Sequence, residues 1–492
     1  MNRFTAKKSY INLPMLLRTI GWLLMIETCF MAVPTVMAFF NNEQTASSFL
    51  VSFLVTLVGS FILMSLKPKS REMGKREAIL LTSLTWVILS LFGMLPFVIG
   101  VTKLSVTDAF FETMSGFTTT GASILNTLKD VPRSLLLWRC IVQWIGGMGI
   151  ILFTLAVVPM LNYQGGMQLF NAEVTGITHD KLRPRVSYTA KSLWLIYTVL
   201  TLILIVLLEF SEMDFFNAIC YGLSTMSTGG FATADMTISE WDNLYVKSVM
   251  TLFMFLGGIN FSLIYKGTHG EFKSIFRNDA LKAYCFIILL AYALFCVNVW
   301  REGLVKDITD LTIDPIFQAV SIISSTGLTE PDFNDWGALS VITLIVMMFV
   351  GACAGSTSGG AKIDRIIVLV KFLKNEFFKM MHPNAVTTVT VSGKGTSYII
   401  VQKVLAFLFL YLIVILLGAT VLSLFGIPLK DSFFCALSAI SNTGLGTDIT
   451  GINGNYSLVP PAVKWILSFI MLTGRLELFT ILLLFTRSFW RK

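Results

Sequence analysis

Ten apolar runs, each long enough to cross a lipid bilayer, dominate this sequence. They lie near 11–40, 47–66, 77–100, 134–160, 189–210, 246–265, 281–300, 337–361, 398–425 and 462–486. A bilayer core is about 30 Å thick and needs about 20 apolar helical residues to cross. Only 13% of the residues are charged and 55% are hydrophobic, which leaves no water-soluble exterior. The 40 Phe argue against disorder. The expected fold is an all-α polytopic membrane protein.

The net charge of +8 first suggests an anionic partner, but its distribution points elsewhere. With a cytoplasmic N-terminus, 27 Lys and Arg face the cytoplasm and 9 the outside. Asp and Glu divide 8 to 19 the other way. The basic excess therefore reads as topology, with both termini cytoplasmic. Nucleic acid is not expected as a partner; acidic membrane lipid or a cytoplasmic protein is. Lys7 and Lys8 precede an apolar run that Pro14 and Arg18 interrupt, which is unlike a cleavable signal. The seven Cys form no C-x-x-C pair and read as small buried residues, and the three His lack metal-ligand spacing.

A long-period repeat organises the rest. Asp108, Phe111, Ser115, Thr120 and Gly121 recur as Asp314, Phe317, Ser321, Thr326 and Gly327, and again as Asp431, Phe434, Ser438, Thr443 and Gly444. The spacing is identical in these three. A looser copy has Asp214, Ile219, Ser224, Thr228 and Gly229, followed by Gly230. Each copy is too short to span and lies between two spans on the outer side. The geometry that fits is a re-entrant hairpin, a short helix followed by an extended return. Such backbone is tolerated at membrane depth only in protein or beside water. Four hairpins can surround one axis, where backbone carbonyls replace the hydration shell of a cation.

The run after the third hairpin is interrupted. Between Val350 and Ile366 stand Gly351, Gly355, Ser356, Thr357, Ser358, Gly359 and Gly360, which cannot hold a regular helix. Beneath a filter this segment is a plausible gate; close packing of small residues is the alternative. Arg475 and Glu477 lie within the last span, and an intramembrane Arg needs a partner. Two residues apart, they do not share a helix face. Arg475 is expected to reach carbonyls or hydroxyls of 351–360, and Glu27 to have a local structural role.

Several stretches resemble the TrkH/KtrB branch of bacterial potassium uptake proteins, within the Trk/Ktr/HKT superfamily. They are Phe111–Gly116 with Thr118–Ala122, Gly146–Gly149, Gly165–Phe170, Lys181–Arg185, the 351–360 loop and Gly474–Glu477. The resemblance covers the whole chain. It implies four helix–pore-loop–helix repeats around a pseudo-fourfold pore plus two extra N-terminal transmembrane helices. The divisions are 1–76 for the extra helices, then 77–188, 189–280, 281–397 and 398–492 for the repeats.

The resemblance also implies potassium transport across the bacterial inner membrane through a filter of Thr119, Thr120, Gly121, Ser227, Thr228, Gly229, Ser325, Thr326, Gly327, Asn442, Thr443 and Gly444. It implies a gate formed by 351–360 with Arg475, and a homodimer. It further implies a cytoplasmic TrkA-like ring through which ATP, ADP or NAD acts; this chain itself has no phosphate-binding loop and is expected to hold no cofactor besides transported K+. The irregular Met226–Gly230, together with Ala352 and Ser358 where many relatives carry Gly, departs from the pattern. Plant relatives that favour sodium often carry Ser at the first filter Gly; here all four are Gly, which favours potassium.

Three readings fit these residues. The leading one is a passive potassium channel-like protein. The others are a sodium or poorly selective cation pathway, and a proton- or sodium-coupled symporter using Glu27 or Glu477. An enzyme lacks any cluster of catalytic groups.

Overall fold

The computed structural model describes residues 11–68, 73–149, 186–235, 241, 243–304, 308–329, 336–448, 450–451 and 455–491. The second half of the fourth apolar run, the motifs at Gly165–Phe170 and Lys181–Arg185, and His179 lie outside them.

Six described helices are long and apolar enough to cross a membrane: Leu13–Phe40, Ala46–Ser65, Arg76–Ile99, Ala190–Glu209, Asp279–Arg301 and Tyr398–Leu424. Their packing is that of a protein solvated by lipid. Along Ala46–Ser65 the residues turned inward are Phe49 and the hydroxyl residues Ser48, Ser52, Thr56 and Ser60, while Val58, Phe61 and Ile62 are exposed. Three of these hydroxyls donate to their own helix, Ser52 to the Ser48 carbonyl at 2.7 Å, Thr56 to the Ser52 carbonyl at 2.8 Å and Ser60 to the Leu57 carbonyl at 2.8 Å, while Ser48 reaches the Ile99 carbonyl at 3.5 Å. No polar atom on this face is then left without a partner in an apolar medium.

Four short helices are buried among the long ones: Val106–Phe117, Phe215–Met226, Ile308–Ile323 and Leu429–Ser441. Of these four, the first begins with a polar cap. Ser105 accepts from the Asp108 N–H at 3.1 Å and donates to its carboxylate at 2.8 Å, closing the first turn of the first. Each is followed by an extended segment and then by a second helix of 13 to 15 residues, at Arg133–Gly147, Leu244–Gly258, Ala338–Val350 and Pro461–Arg475. The architecture is four helix–pore-loop–helix units with two further helices, Leu13–Phe40 and Ala46–Ser65, ahead of them.

Two apolar runs expected to cross as single helices are bent. Leu244–Gly258 turns by 103° into Phe261–Thr268, and Pro461–Arg475 by 120° into Leu478–Leu484. Asn260 caps the new start of the first, accepting from the Ser262 N–H at 2.8 Å. Glu477 adopts a left-handed φ of 63° at the second. The interruption expected only in the third unit thus recurs in the second and fourth. Hydropathy averages over such a corner, because the residues on both sides of it remain apolar.

Candidate functional site: the pore loops and the segment beneath them

The four extended segments share one backbone pattern. Thr119, Thr228, Ser325 and Asn442 have φ of 52°, 53°, 55° and 53°, values that non-glycine residues adopt rarely. Two residues later, Gly121, Gly230, Gly327 and Gly444 have φ of 85°, 81°, 74° and 76°. The residue between them donates its N–H to the serine of the repeat: Thr120 to Ser115, Gly229 to Ser224, Thr326 to Ser321 and Thr443 to Ser438, at 2.8–3.0 Å.

This pattern corrects the register of the second repeat. Its triplet equivalent to Thr119–Gly121 is Thr228–Gly229–Gly230, one residue later than the motif reading of Ser227–Thr228–Gly229. Counting back from Gly230 places Asn217 where the other repeats carry Asp, and Cys220 rather than Ile219 at the Phe position. Ser224 then falls at the serine position. The Ser-Thr-Gly string imitated the Ser-Thr-Gly of the third repeat, and only the backbone separates the two alignments.

The four segments close a ring. A Cβ added to Gly121 would collide with the carbonyl oxygen of Gly229, one on Gly230 with that of Thr326, one on Gly327 with that of Thr443, and one on Gly444 with that of Thr120. The sequence of contacts runs through all four units and returns to the first, so they surround one axis. Each position needs glycine twice over, for its φ and for the approach of its neighbour's backbone. The pore helices end at this ring, bringing the partial negative charge of their carbonyl ends to it.

Ion pairs hold the starts of the pore helices. Lys464 bonds Asp108 at 2.6 Å and Lys247 bonds Asp314 at 3.0 Å, both lysines 5–6% exposed. Each lysine stands ten residues before the glycine near the end of its helix, Gly474 or Gly257. The same place in the other two units holds Leu136 and Val341, so the pairs recur at alternate junctions. Buried Arg139 and Glu112 meet at 2.7 Å. Arg139 also donates to the Ala232 carbonyl at 3.2 Å and the Ser123 hydroxyl at 3.0 Å, tying the first and second return segments together. Beside them a cavity of about 230 Å³ opens onto Gly121 and Gly230, with the Asp235 carboxylate in its wall.

The interrupted segment lies directly against the ring. Ser325 accepts from the Gly359 N–H at 2.6 Å, and the hydroxyls of Thr228 and Thr357 are 3.1 Å apart. Thr357 donates its N–H to the Gly257 carbonyl at 3.2 Å, Cys353 to that of Gly258 at 3.1 Å, and Phe261 to that of Gly355 at 3.0 Å. A Cβ on Gly359 would collide with the Ser441 carbonyl, so the segment touches the second, third and fourth repeats. Gly351 and Gly360 meet where it leaves and re-enters helix, while Ser356 and Ser358 are joined through their hydroxyls at 2.8 Å.

Arg475 crosses beneath it. Its guanidinium donates to the Thr357 carbonyl at 2.7 Å and to the carbonyls of Gly146 and Gly147 at 2.6 and 3.0 Å. Glu477 pairs instead with Arg365, whose guanidinium also lies 3.8 Å from the centre of the Phe407 ring. Lys362, just after the loop, is buried and donates to the Ser358 carbonyl and, at 3.3 Å, to its hydroxyl. Nothing in its local sequence announces this; the left-handed φ of 75° at Lys362 turns the chain back. Glu27 is buried with no hydrogen-bond partner on either carboxyl oxygen. Of the cysteines, 140, 220, 353 and 435 are buried as expected, whereas Cys29 is exposed.

Fold and site together define a polytopic membrane transporter built on four pore-loop repeats. The TrkH family profile, a cation transport protein, matches residues 45–492. The chain belongs to that family, which is one of transporters and not of enzymes. Among its relatives, the Trk system potassium uptake protein TrkH of Escherichia coli (strain K12) is 33% identical over 485 residues, covering 96% of this chain and 99% of that protein. The Trk system potassium uptake protein TrkG of the same strain is 31% identical, covering 96% and 97%. The crystal structure of the potassium transporter TrkH from Vibrio parahaemolyticus superposes with a TM-score of 0.87 at 30% identity, covering 97% of this chain and all of that one.

Proposed function

We propose that this chain carries potassium into the bacterial cell across the inner membrane, passively, through the axis of its four pore loops. The observation that carries the reading is the closed ring in which each glycine lies against its neighbour's carbonyl, with a single segment packed beneath it. A ring of carbonyls is suited to a weakly hydrated monovalent cation, and the relatives above are potassium uptake proteins by name. The filter is formed by Thr119–Gly121, Thr228–Gly230, Ser325–Gly327 and Asn442–Gly444, with Ser227 supporting the second. An inside potential of about −100 mV supplies about 2.3 kcal/mol per inward charge, so no coupled ion is needed.

The gate is the segment 351–360, held closed by Arg475 and Lys362. Both termini are cytoplasmic, following the basic excess. The units divide as 1–76, 77–188, 189–280, 281–397 and 398–492. A homodimer bound to a TrkA-like nucleotide-binding ring is the assembly, since relatives are named as parts of a Trk system; nucleotide acts only through that partner.

Flux into liposomes containing this chain alone tests the reading, with valinomycin as the potassium control. Potassium-selective flux without a proton or sodium gradient is expected. Flux that appears only with such a gradient would replace it by symport, for which the unpartnered carboxyl of Glu27 is the structural argument.

A further inference from the structure

The second pore loop lacks a side chain that the other three possess. The middle residue of the triplet is Thr120, Thr326 or Thr443, and its hydroxyl is bonded to the hydroxyl two residues earlier. The pairs are Thr118 with Thr120 at 2.8 Å, Ser324 with Thr326 at 2.7 Å and Ser441 with Thr443 at 2.9 Å. In the second repeat the middle residue is Gly229. Ser227, at the place of Thr118, Ser324 and Ser441, donates to the Ser224 carbonyl at 2.9 Å, as its three counterparts do to their own serine carbonyls at 3.1–3.4 Å, but has no threonine hydroxyl two residues on to bond.

The vacant side-chain position is filled from another helix. A Cβ on Gly229 would come within 2.5 Å of the Gln143 amide carbon. Gln143, fully buried in Arg133–Gly147, donates its Nε2 to the Gly229 carbonyl at 2.7 Å. Its Oε1 accepts from the Ser224 hydroxyl at 2.9 Å and the Phe231 N–H at 3.1 Å. Gln143 stands three residues before Gly146; the same place before Gly257, Gly351 and Gly474 holds Met254, Met348 and Met471. Each of the first, third and fourth loops has its threonine and the neighbouring helices carry methionine; the one loop with glycine is paired with the one glutamine.

We propose that Gln143 is a positioning residue that sets the ion preference of the filter at its second repeat, replacing a threonine the loop itself does not have. This rests on the filter reading above. A carbonyl that accepts a buried N–H has one lone pair committed to it, so the Gly229 oxygen is held more rigidly and offers less to an ion than its three counterparts. The ring is thereby asymmetric in field as well as in sequence, and carbonyl number and field are what a cation filter selects by.

The test is the potassium-to-sodium flux ratio of liposome-reconstituted Gln143→Met, Gln143→Glu and the double variant Gln143→Met/Gly229→Thr, with Gly121→Ser as a filter control. The ratio does not depend on how much protein folds. Both single substitutions should lower it by about tenfold, the scale of one lost buried hydrogen bond. The double variant rebuilds the pattern of the other three repeats, with Ser227 ready to receive the new hydroxyl, and should return the ratio to within about twofold of the wild type. An unchanged ratio in both single variants, while Gly121→Ser lowers it, overturns the proposal and leaves the filter standing. A loss in the single variants that the second substitution does not recover also overturns it. If Gly121→Ser too is without effect, the filter reading fails and the proposal with it.

Discussion

The guanidinium of Arg475 donates to the carbonyl oxygen of Thr357 at 2.7 Å, joining the end of the last inner helix to the segment beneath the pore loops. The same side chain reaches Gly146 and Gly147 of the first unit. One cation therefore bridges three of the four repeats. A charge-assisted bond to a carbonyl is worth about 1.5–3 kcal/mol.

Removing that bridge should open the path. Arg475→Ala is expected to raise rubidium tracer flux into liposomes, with no partner present, by about tenfold or more. Flux at or below the wild-type level, in a variant of unchanged thermal stability, would leave the segment a static constriction.

Lys362 gives a second, independent test of the proposed gate. Lys362→Met keeps the stem buried but deletes the donor to Ser358, and flux should again rise. Raised flux in Arg475→Ala but not in Lys362→Met would confine the latch to the arginine.

The register of the second pore loop is testable by glycine replacement. Gly230→Ser should lower potassium preference about as much as Gly121→Ser, because both residues have positive φ and meet a neighbour's carbonyl. Each substitution carries about 1–3 kcal/mol of backbone strain as well. If Gly230→Ser left selectivity intact, the triplet would revert to Ser227–Gly229.

The buried pair of Arg139 and Glu112 should behave as a unit. Arg139→Leu alone strands a buried carboxylate at a cost of about 3–5 kcal/mol, so the midpoint of thermal unfolding falls sharply. Arg139→Leu with Glu112→Leu should lose much less. Equal losses from the single and double variants would show that the bonds to Ser123 and Ala232, not the charge pair, hold the loops.

Glu27 separates channel from symporter. In the passive reading Glu27→Gln retains uptake, and Glu27→Leu is neutral or raises thermal stability, since a buried carboxyl without a partner disfavours the folded state. Loss of gradient-driven uptake in Glu27→Gln would move the mechanism to this carboxyl.

Much of the fold could be read from local pattern. Apolar runs of bilayer length and the Asp–Phe–Ser–Thr–Gly spacing reveal spans and three of the four pore loops, because lipid imposes its demand on each segment separately. Gly351–Gly360 was legible for the same reason: no helix tolerates that composition. The corners at Asn260 and Glu477 were not, since apolar residues continue on both sides and only packing against the loop segment bends the chain.

What the sequence by itself determined is the medium, the repeat and the kinds of residue at the axis. Each follows from forces acting over a few consecutive residues: burial in lipid, helix capping and the φ open to glycine. Only the tertiary structure decided the true triplet of the second repeat, the partners of Arg475, Arg139 and Lys362, and the placing of Gln143 behind Gly229. Gln143 and Gly229 are 86 positions apart, and Arg475 and Gly146 are 329. Such contacts depend on how four units close around an axis, and no residue's neighbours in the chain carry that information.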